Sequence, residues 1–321
     1  MKKSQPYSRR DFLKLSTMAA LGTTSVAGMA DTLLKSAPPG DVGLKIYIFS
    51  KHLQFLNYKD MSEAAKDMGF DGIDLTVRPK GHVLPENVAE DLPAATEAMA
   101  SFGFTPDLIT TRVLDAGNPL DQKVLATASQ LGYDLYRTGW YRFSDDVEVL
   151  ETARLARERL RGLARLSKEL GITGSYENHS GNFFGGSIWS LDQALEGLAP
   201  DHMGVQYDIM HAMIEGGKNW PIGLRLIKDH LNSLIMKDYK WVKEDGEWKA
   251  LYVPIGEGMV DFAAYFKLLK QYGINLPVII HCEYDLGGAE HGGAKVDDPK
   301  VVLKQIQKDL QYVRQAWEQA A

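Results

Sequence analysis

From Leu44 onward, apolar runs of strand length alternate with longer amphipathic segments, and this alternation restricts the chain to α/β architectures. Candidate strands are Lys45 to Phe49, Gly72 to Thr76, Asp107 to Thr111, Asp134 to Thr138, Ile172 to Glu177, Gly204 to Asp208, Ser233 to Lys237 and Val278 to Glu283. Helical patterns fall between them at Lys59 to Met68, Leu92 to Phe102, Leu120 to Leu131, Val147 to Leu170, Leu191 to Leu198, Pro221 to His230 and Phe262 to Tyr272. A last one, Pro299 to Trp317, closes the chain. Gly69, Gly103, Gly132, Gly171 and Gly273 each stand just before a strand, where a glycine ends a helix in the left-handed conformation. Eight such units predict a (β/α)8 TIM barrel, a single domain over residues 44–321. A doubly wound sheet would carry a glycine-rich loop after its first strand, and Phe49-Ser50-Lys51-His52 contains no glycine.

Three of these runs end on an acid: ITGSYE at Glu177, MGVQYD at Asp208 and VIIHCE at Glu283. Carboxylates are costly to desolvate unless something pairs with them, so three at strand ends point to a common cation or a reacting substrate. A barrel gathers its active site at the C-terminal mouth. The same rule brings in Lys51 and His52, then Arg78, Lys80 and His82, then Arg112, and then Arg137, Trp140 and Tyr141. It adds His179, His211, Lys237 with Asp238, and His281. Cys282, the single cysteine, faces away from its neighbours on an alternating strand and reads as packing. One cysteine excludes an intramolecular disulfide and a thiolate zinc site.

A formal charge of −6 argues against general binding to nucleic acid or anionic membranes. The Arg154, Arg157, Arg161, Arg165 stripe reads as a solvated helix face paired with Glu151 and Glu158. Residues 1–30 resemble a bacterial twin-arginine export signal: Ser8-Arg9-Arg10-Asp11-Phe12-Leu13-Lys14 precedes a mildly apolar stretch to Met29. That stretch is too rich in small and polar residues for a stable membrane span. The expected mature protein starts near Asp31, passes through a linker over 31–43, and resides in the periplasm.

Ile235-Met236-Lys237-Asp238, then Val253-Pro254-Ile255-Gly256-Glu257-Gly258-Met259-Val260-Asp261-Phe262, then Glu283-Tyr284 resemble the C-terminal half of the xylose-isomerase-like sugar isomerase/epimerase superfamily. Met68-Gly69-Phe70-Asp71-Gly72-Ile73-Asp74-Leu75 is similar to its second strand. The resemblance implies a divalent metal at the mouth, held by Glu, Asp, His and Glu from four strands. Glu177, Asp208 and Glu283 match the acids, and His211 matches a histidine that follows the Asp. The remaining ligand departs from the pattern, because Ile235 stands where the family has histidine. His281 could supply the imidazole, His179 or His211 could enter from a loop, or Lys237 could place an ammonium where the metal's charge is expected. With Glu177, Asp208, Glu283 and His281 as ligands, the oxygen-rich set suits Mn²⁺, Mg²⁺ or Co²⁺.

A cation beside a sugar carbonyl stabilises the enolate formed when a base removes the adjacent proton. Glu177 and Glu283 are the expected bases, with Lys237 and His211 as further catalytic groups. Return of the proton gives isomerisation or epimerisation; expulsion of a β-substituent makes the same first step a lyase acting on a 3-keto-glycoside. A non-catalytic sugar-binding barrel is the remaining alternative. Export favours a free sugar, keto-sugar or glycoside over a sugar phosphate. Arg78, His82 and His179 are candidate substrate contacts, and Trp140, Tyr284, Tyr176, Tyr207 and Trp241 are candidate stacking surfaces. The insert Tyr239 to Val253 is a candidate lid or contact for a homo-oligomer, and Leu286 to Gly293 could close over the mouth.

Overall fold

The computed structural model describes residues 43–293 and 295–320, so the expected export signal at 1–30 and linker residues 31–42 lie outside the described residues. The elements run β1 (Ile46–Phe49), α1 (Tyr58–Met68), β2 (Gly72–Val77), α2 (Val88–Ser101), β3 (Leu108–Thr111), α3 (Pro119–Gln130), β4 (Leu135–Arg137), α4 (Val149–Leu170) and β5 (Thr173–Glu177). They continue with α5 (Ile188–Leu195), β6 (Met203–Asp208), α6 (Ile209–Gly216), α7 (Trp220–Ile227), β7 (Leu231–Met236), β8 (Asp238–Glu244) and β9 (Glu247–Val253). The last are α8 (Phe262–Gln271), β10 (Val278–Ile280) and α9 (Pro299–Gln319). Strands β1 to β7 and β10 close a parallel barrel, β10 pairing with both β7 and β1, as the eightfold alternation predicts.

Local chemistry sets the boundaries. Asn57 accepts a hydrogen bond from the Asp60 amide to start α1, and Gly69 at φ 93° ends it. Met61, Ala65 and Met68 on one face of α1 are buried, as the helical period requires. The other four expected cap glycines also have positive φ. Inside the barrel, Tyr47, Phe49, Leu108, Ile235 and Ile279 form an apolar floor below the mouth. On the outside of α4, Arg154 pairs with Glu151 and Glu158, in keeping with a solvated stripe. Among the described residues no helix is long and apolar enough to cross a membrane.

Three features depart from the sequence reading. The helix α6 follows Asp208 without a loop, because Asp208 is both the end of β6 and the cap of α6; its carboxylate accepts from the His211 amide at 3.0 Å. The Tyr239 to Val253 insert is the antiparallel hairpin β8–β9, turned at Asp245 (φ 50°) and Gly246 (φ 87°), the Asp-Gly pair that a tight hairpin turn favours. Strand β10 ends at Ile280, short of Glu283. The chain continues on course because the His281 amide donates to the Met236 carbonyl (3.1 Å) and the Cys282 amide donates to Nε2 of His52 (2.9 Å).

The Lys237-Asp238 and Gly256-Glu257-Gly258 strings meet in space. Oδ1 of Asp238 accepts from the amides of Tyr239 and Val260, and Oδ2 from those of Gly256 (3.0 Å) and Gly258 (2.8 Å). A Cβ on Gly258 would lie 2.0 Å from Oδ1, so only glycine lets the carboxylate in. This lock fixes the backbone beside Lys237. Asp238→Ala is expected to lower the unfolding free energy by about 3 kcal/mol, the loss of several charge-assisted bonds from backbone amides to a buried carboxylate, and Gly258→Ala to shift the urea midpoint in the same direction. An unchanged midpoint in both would refute the lock.

Candidate active site

Four strands deliver charged side chains to one point at the C-terminal mouth. The Nζ of Lys237, just past β7, lies 3.0 Å from Oδ2 of Asp208, 3.1 Å from Oε2 of Glu283 and 3.5 Å from Oε1 of Glu177. It also lies 3.2 Å from Nε2 of His211. Glu177, Asp208 and Lys237 are buried, whereas the Glu283 side chain keeps 19% exposure. Burial opposes the Lys237 charge, but Asp208, Glu283 and Glu177 outweigh it and hold its pKa well above the ordinary lysine value. Burial likewise opposes the Glu283 charge, and Lys237 and Lys51 overcome it, holding its carboxyl well below the usual range.

His211 is kept neutral chiefly by burial, then by the nearby Lys237 and His179, its pKa lying well below the ordinary value. An ammonium can only donate, so Nε2 of His211 accepts from Lys237, and Nδ1 carries the proton and donates to Oγ of Ser180 at 2.8 Å. The ring of His179 packs against His211 at 3.9 Å between centroids.

A second ring of groups braces the acids. Arg137 pairs with Glu177 at 3.1 Å, both side chains 1% exposed, and its guanidinium lies 4.0 Å from the Trp140 ring centre. Lys51 pairs with Glu283 at 2.8 Å. His52 holds the Glu283 segment: its Nδ1–H donates to the Ala289 carbonyl (3.3 Å) while Nε2 takes the Cys282 amide, and burial pushes its pKa down to about 3. Asp74, buried beside Arg137, Arg78 and Glu177, accepts from Oγ1 of Thr110 at 2.8 Å, and burial raises its pKa to about 7. Lys51, His52 and Arg137 follow from the strand-end rule, although no motif distinguishes them. Asp74, mid-strand in β2, carries no such signal.

The other expected site residues divide. Arg78 lies over Phe49 at 5.3 Å, within the field of Glu283 and Asp74. His281 stacks on Phe49 at 4.1 Å, below Lys237, and neither ring nitrogen has a hydrogen-bond partner among the described residues. It is not part of the compact donor group, which is Glu177, Asp208 and His211. His82 is tied to Ser50 (3.1 Å) and Thr76 (3.5 Å). Tyr284 points outward and donates to Asp309 on α9 at 2.7 Å. Tyr176 and Tyr207 are wholly buried, Tyr176 donating to the Phe184 carbonyl and Tyr207 stacking on Tyr265. Leu286 to Gly293 is tied down, with the Glu290 carboxylate accepting from the Leu286 and Gly288 amides.

Ligand atoms of Glu177, Asp208 and His211 lie within 4.8 Å of one another, and by donor type this buried group could bind a divalent metal. As arranged, however, Nζ of Lys237 touches the same oxygens and the same imidazole nitrogen, and Ile235 belongs to the apolar floor. The residues present do not fit an ion and this ammonium together.

Fold and site define a (β/α)8 barrel with paired carboxylates around a cation at its mouth. The model of the family "Xylose isomerase-like TIM barrel" matches residues 62–306, and the chain belongs to that family. Among solved structures, D-psicose 3-epimerase from Clostridium cellulolyticum H10 is similar with a TM-score of 0.66 at 14% identity, over 85% of this chain and 99% of that one. The 3-keto-D-glucoside 4-epimerase from E. coli has a TM-score of 0.61 at 14% identity, over 85% and 99%. A xylose isomerase-like barrel protein from Mycobacterium smegmatis, in complex with magnesium, has a TM-score of 0.62 at 15% identity, over 85% and 98%. No curated protein matches the chain.

Removing one partner of a buried ion pair leaves the other charge desolvated. Arg137→Met is therefore expected to lower the unfolding free energy by about 3–5 kcal/mol, read by urea denaturation. Arg154→Met, on the solvated face of α4, is expected to leave the midpoint where it is.

Proposed function

We propose that the protein is a carbohydrate-active enzyme that removes a proton next to a sugar carbonyl, of the sugar isomerase or epimerase type. The observation that carries this reading is the placing of Glu177 and Glu283 on two sides of the Lys237 ammonium, at 3.5 and 3.1 Å. A substrate carbon between the two carboxylates can lose a proton to one and regain it from the other. Glu283, the most exposed of the three acids, is the one a substrate can reach first, which suits it to the role of first base. Glu177, braced by Arg137, suits the opposite face. Family membership and the sugar epimerases among the structural neighbours are in keeping with this chemistry.

A second reading, elimination of the aglycone from a 3-keto-glycoside, is favoured by a cavity of about 530 Å³ lined by Leu251, Tyr252, Pro254, Tyr284 and Leu286 among others. Its wall residue Tyr252 has a phenol pKa raised chiefly by burial, with Lys237 and Glu283 acting on it in opposite senses. An apolar group on the sugar would fit there. We also propose that the twin-arginine segment exports the chain to the periplasm, which favours unphosphorylated substrates.

Incubation of the purified protein in D2O with free ketoses and with 3-keto-glycosides tests both. Carbon-bound deuterium without cleavage is expected for an isomerase or epimerase, and aglycone release for a lyase. Glu177→Gln and Glu283→Gln are each expected to lower the rate about 10²- to 10⁴-fold. Absence of exchange and release with every sugar, with both variants unchanged, would leave the sugar-binding alternative.

A further inference from the structure

We propose that the Lys237 ammonium is the resident cation of the site, taking the place of the divalent ion that the family resemblance implies. The inference rests on the enolisation reading for its catalytic part and on geometry alone for its binding part.

The geometry is restrictive. Oxygen and nitrogen ligands approach a divalent ion at about 2.0–2.6 Å. Nζ of Lys237 already lies within 3.0–3.5 Å of one atom each from Asp208, Glu283, Glu177 and His211. An ion bound between those atoms would lie in contact with the ammonium, like charge against like charge. The lysine is carried by a fixed strand end. Its backbone is fixed on one side by the four hydrogen bonds that backbone amides donate to the Asp238 carboxylate and on the other by the Met236 carbonyl, which accepts from the His281 amide.

The fourth corner agrees. Ile235, one inward position below Lys237 on β7, packs with Phe49 and Ile279 and offers no ligand atom. The charge balance agrees too, because Glu177 and Glu283 each have a second cation, Arg137 and Lys51, behind them. One further positive charge completes the balance with three carboxylates; two would exceed it. In the proposed reaction, the C–H bond breaks, its proton passes to a glutamate, its electron pair forms the C=C bond of the enolate, and the carbonyl π pair moves onto the oxygen. The Lys237 ammonium donates a hydrogen bond to that oxyanion.

The test measures metal content of the wild-type protein by mass spectrometry, and Mn²⁺ binding by calorimetry and thermal shift in wild type, Lys237→Met and Lys237→Gln. Wild type is expected to carry much less than one ion per chain and to bind Mn²⁺ no more tightly than about 1 mM. The variants, with the ammonium gone and the acids left, are expected to bind at least about 30-fold more tightly, and to be stabilised by Mn²⁺ as wild type is not. Deuterium exchange by wild type should survive EDTA. One tightly held ion per wild-type chain, equal Mn²⁺ affinity in wild type and variants, or exchange abolished by EDTA overturns the inference while leaving enolisation standing. Absence of exchange with the expected metal-binding contrast fails the enolisation reading and leaves the cation assignment in place.

Discussion

Three carboxylates cannot share a desolvated barrel mouth unless a cation lies between them, and Lys237 meets that requirement in this chain. Burying like charges side by side without a partner is costly. With the ammonium in place, Glu283 is held ionised and the imidazole of His211 is held neutral, with its lone pair toward the centre. Much of the surrounding structure maintains this arrangement. The Asp238 lock fixes the strand end that carries the lysine, and the Arg137 and Lys51 pairs hold the outer oxygens.

Position matters as much as charge, and the acids are positioned by backbone devices specific to their strands. Asp208 uses one oxygen to cap α6 and the other to face Lys237, so the helix start and the site share one carboxylate. Glu283 lies beyond the last ladder bond of β10, and the His52 imidazole supplies the acceptor that a neighbouring strand no longer offers. Structural and chemical duties therefore fall on the same few side chains. Their replacement is expected to cost stability as well as any chemistry at the mouth.

The barrel was legible because its strand and helix periods are strong and glycine punctuates the joints. Three acids at run ends were legible for the same reason. The helix α6 was not, since Ile209-Met210-His211-Ala212 continues an apolar run with no turn residue to divide it. The hairpin did leave a local sign, the Asp245-Gly246 turn between two tryptophan-bearing segments. Alternation also orients Tyr284 opposite Glu283, and its bond to Asp309 follows from that. The roles of His52, Arg137 and Asp74 depend on partners far away in sequence, which no spacing rule reaches. Ile235 and Lys237 were visible as a departure from the family's pattern, but only distances could say that the ammonium reaches all three acids.

The wider electrostatics fit an anionic intermediate better than a neutral ground state. Lys51, Arg137 and Lys237 each have a carboxylate, whereas Arg78 has none in ion-pair range among the described residues and rests on the face of Phe49. Burial and the neighbouring Arg137 lower its pKa to about 10, still high enough to keep it charged. Its nearest acids include Asp74, which burial leaves largely protonated below about pH 7. The mouth thus holds a half-buried guanidinium with unfilled donors beside two candidate bases. Such a group gains most when charge develops on a substrate oxygen, because its desolvation was already met in folding and no reorganisation is needed at the moment of reaction. Under the enolisation proposed above, charge develops on a substrate oxygen in that way, so that reading gives the arginine on Phe49 and the caged lysine a shared oxyanion to stabilise.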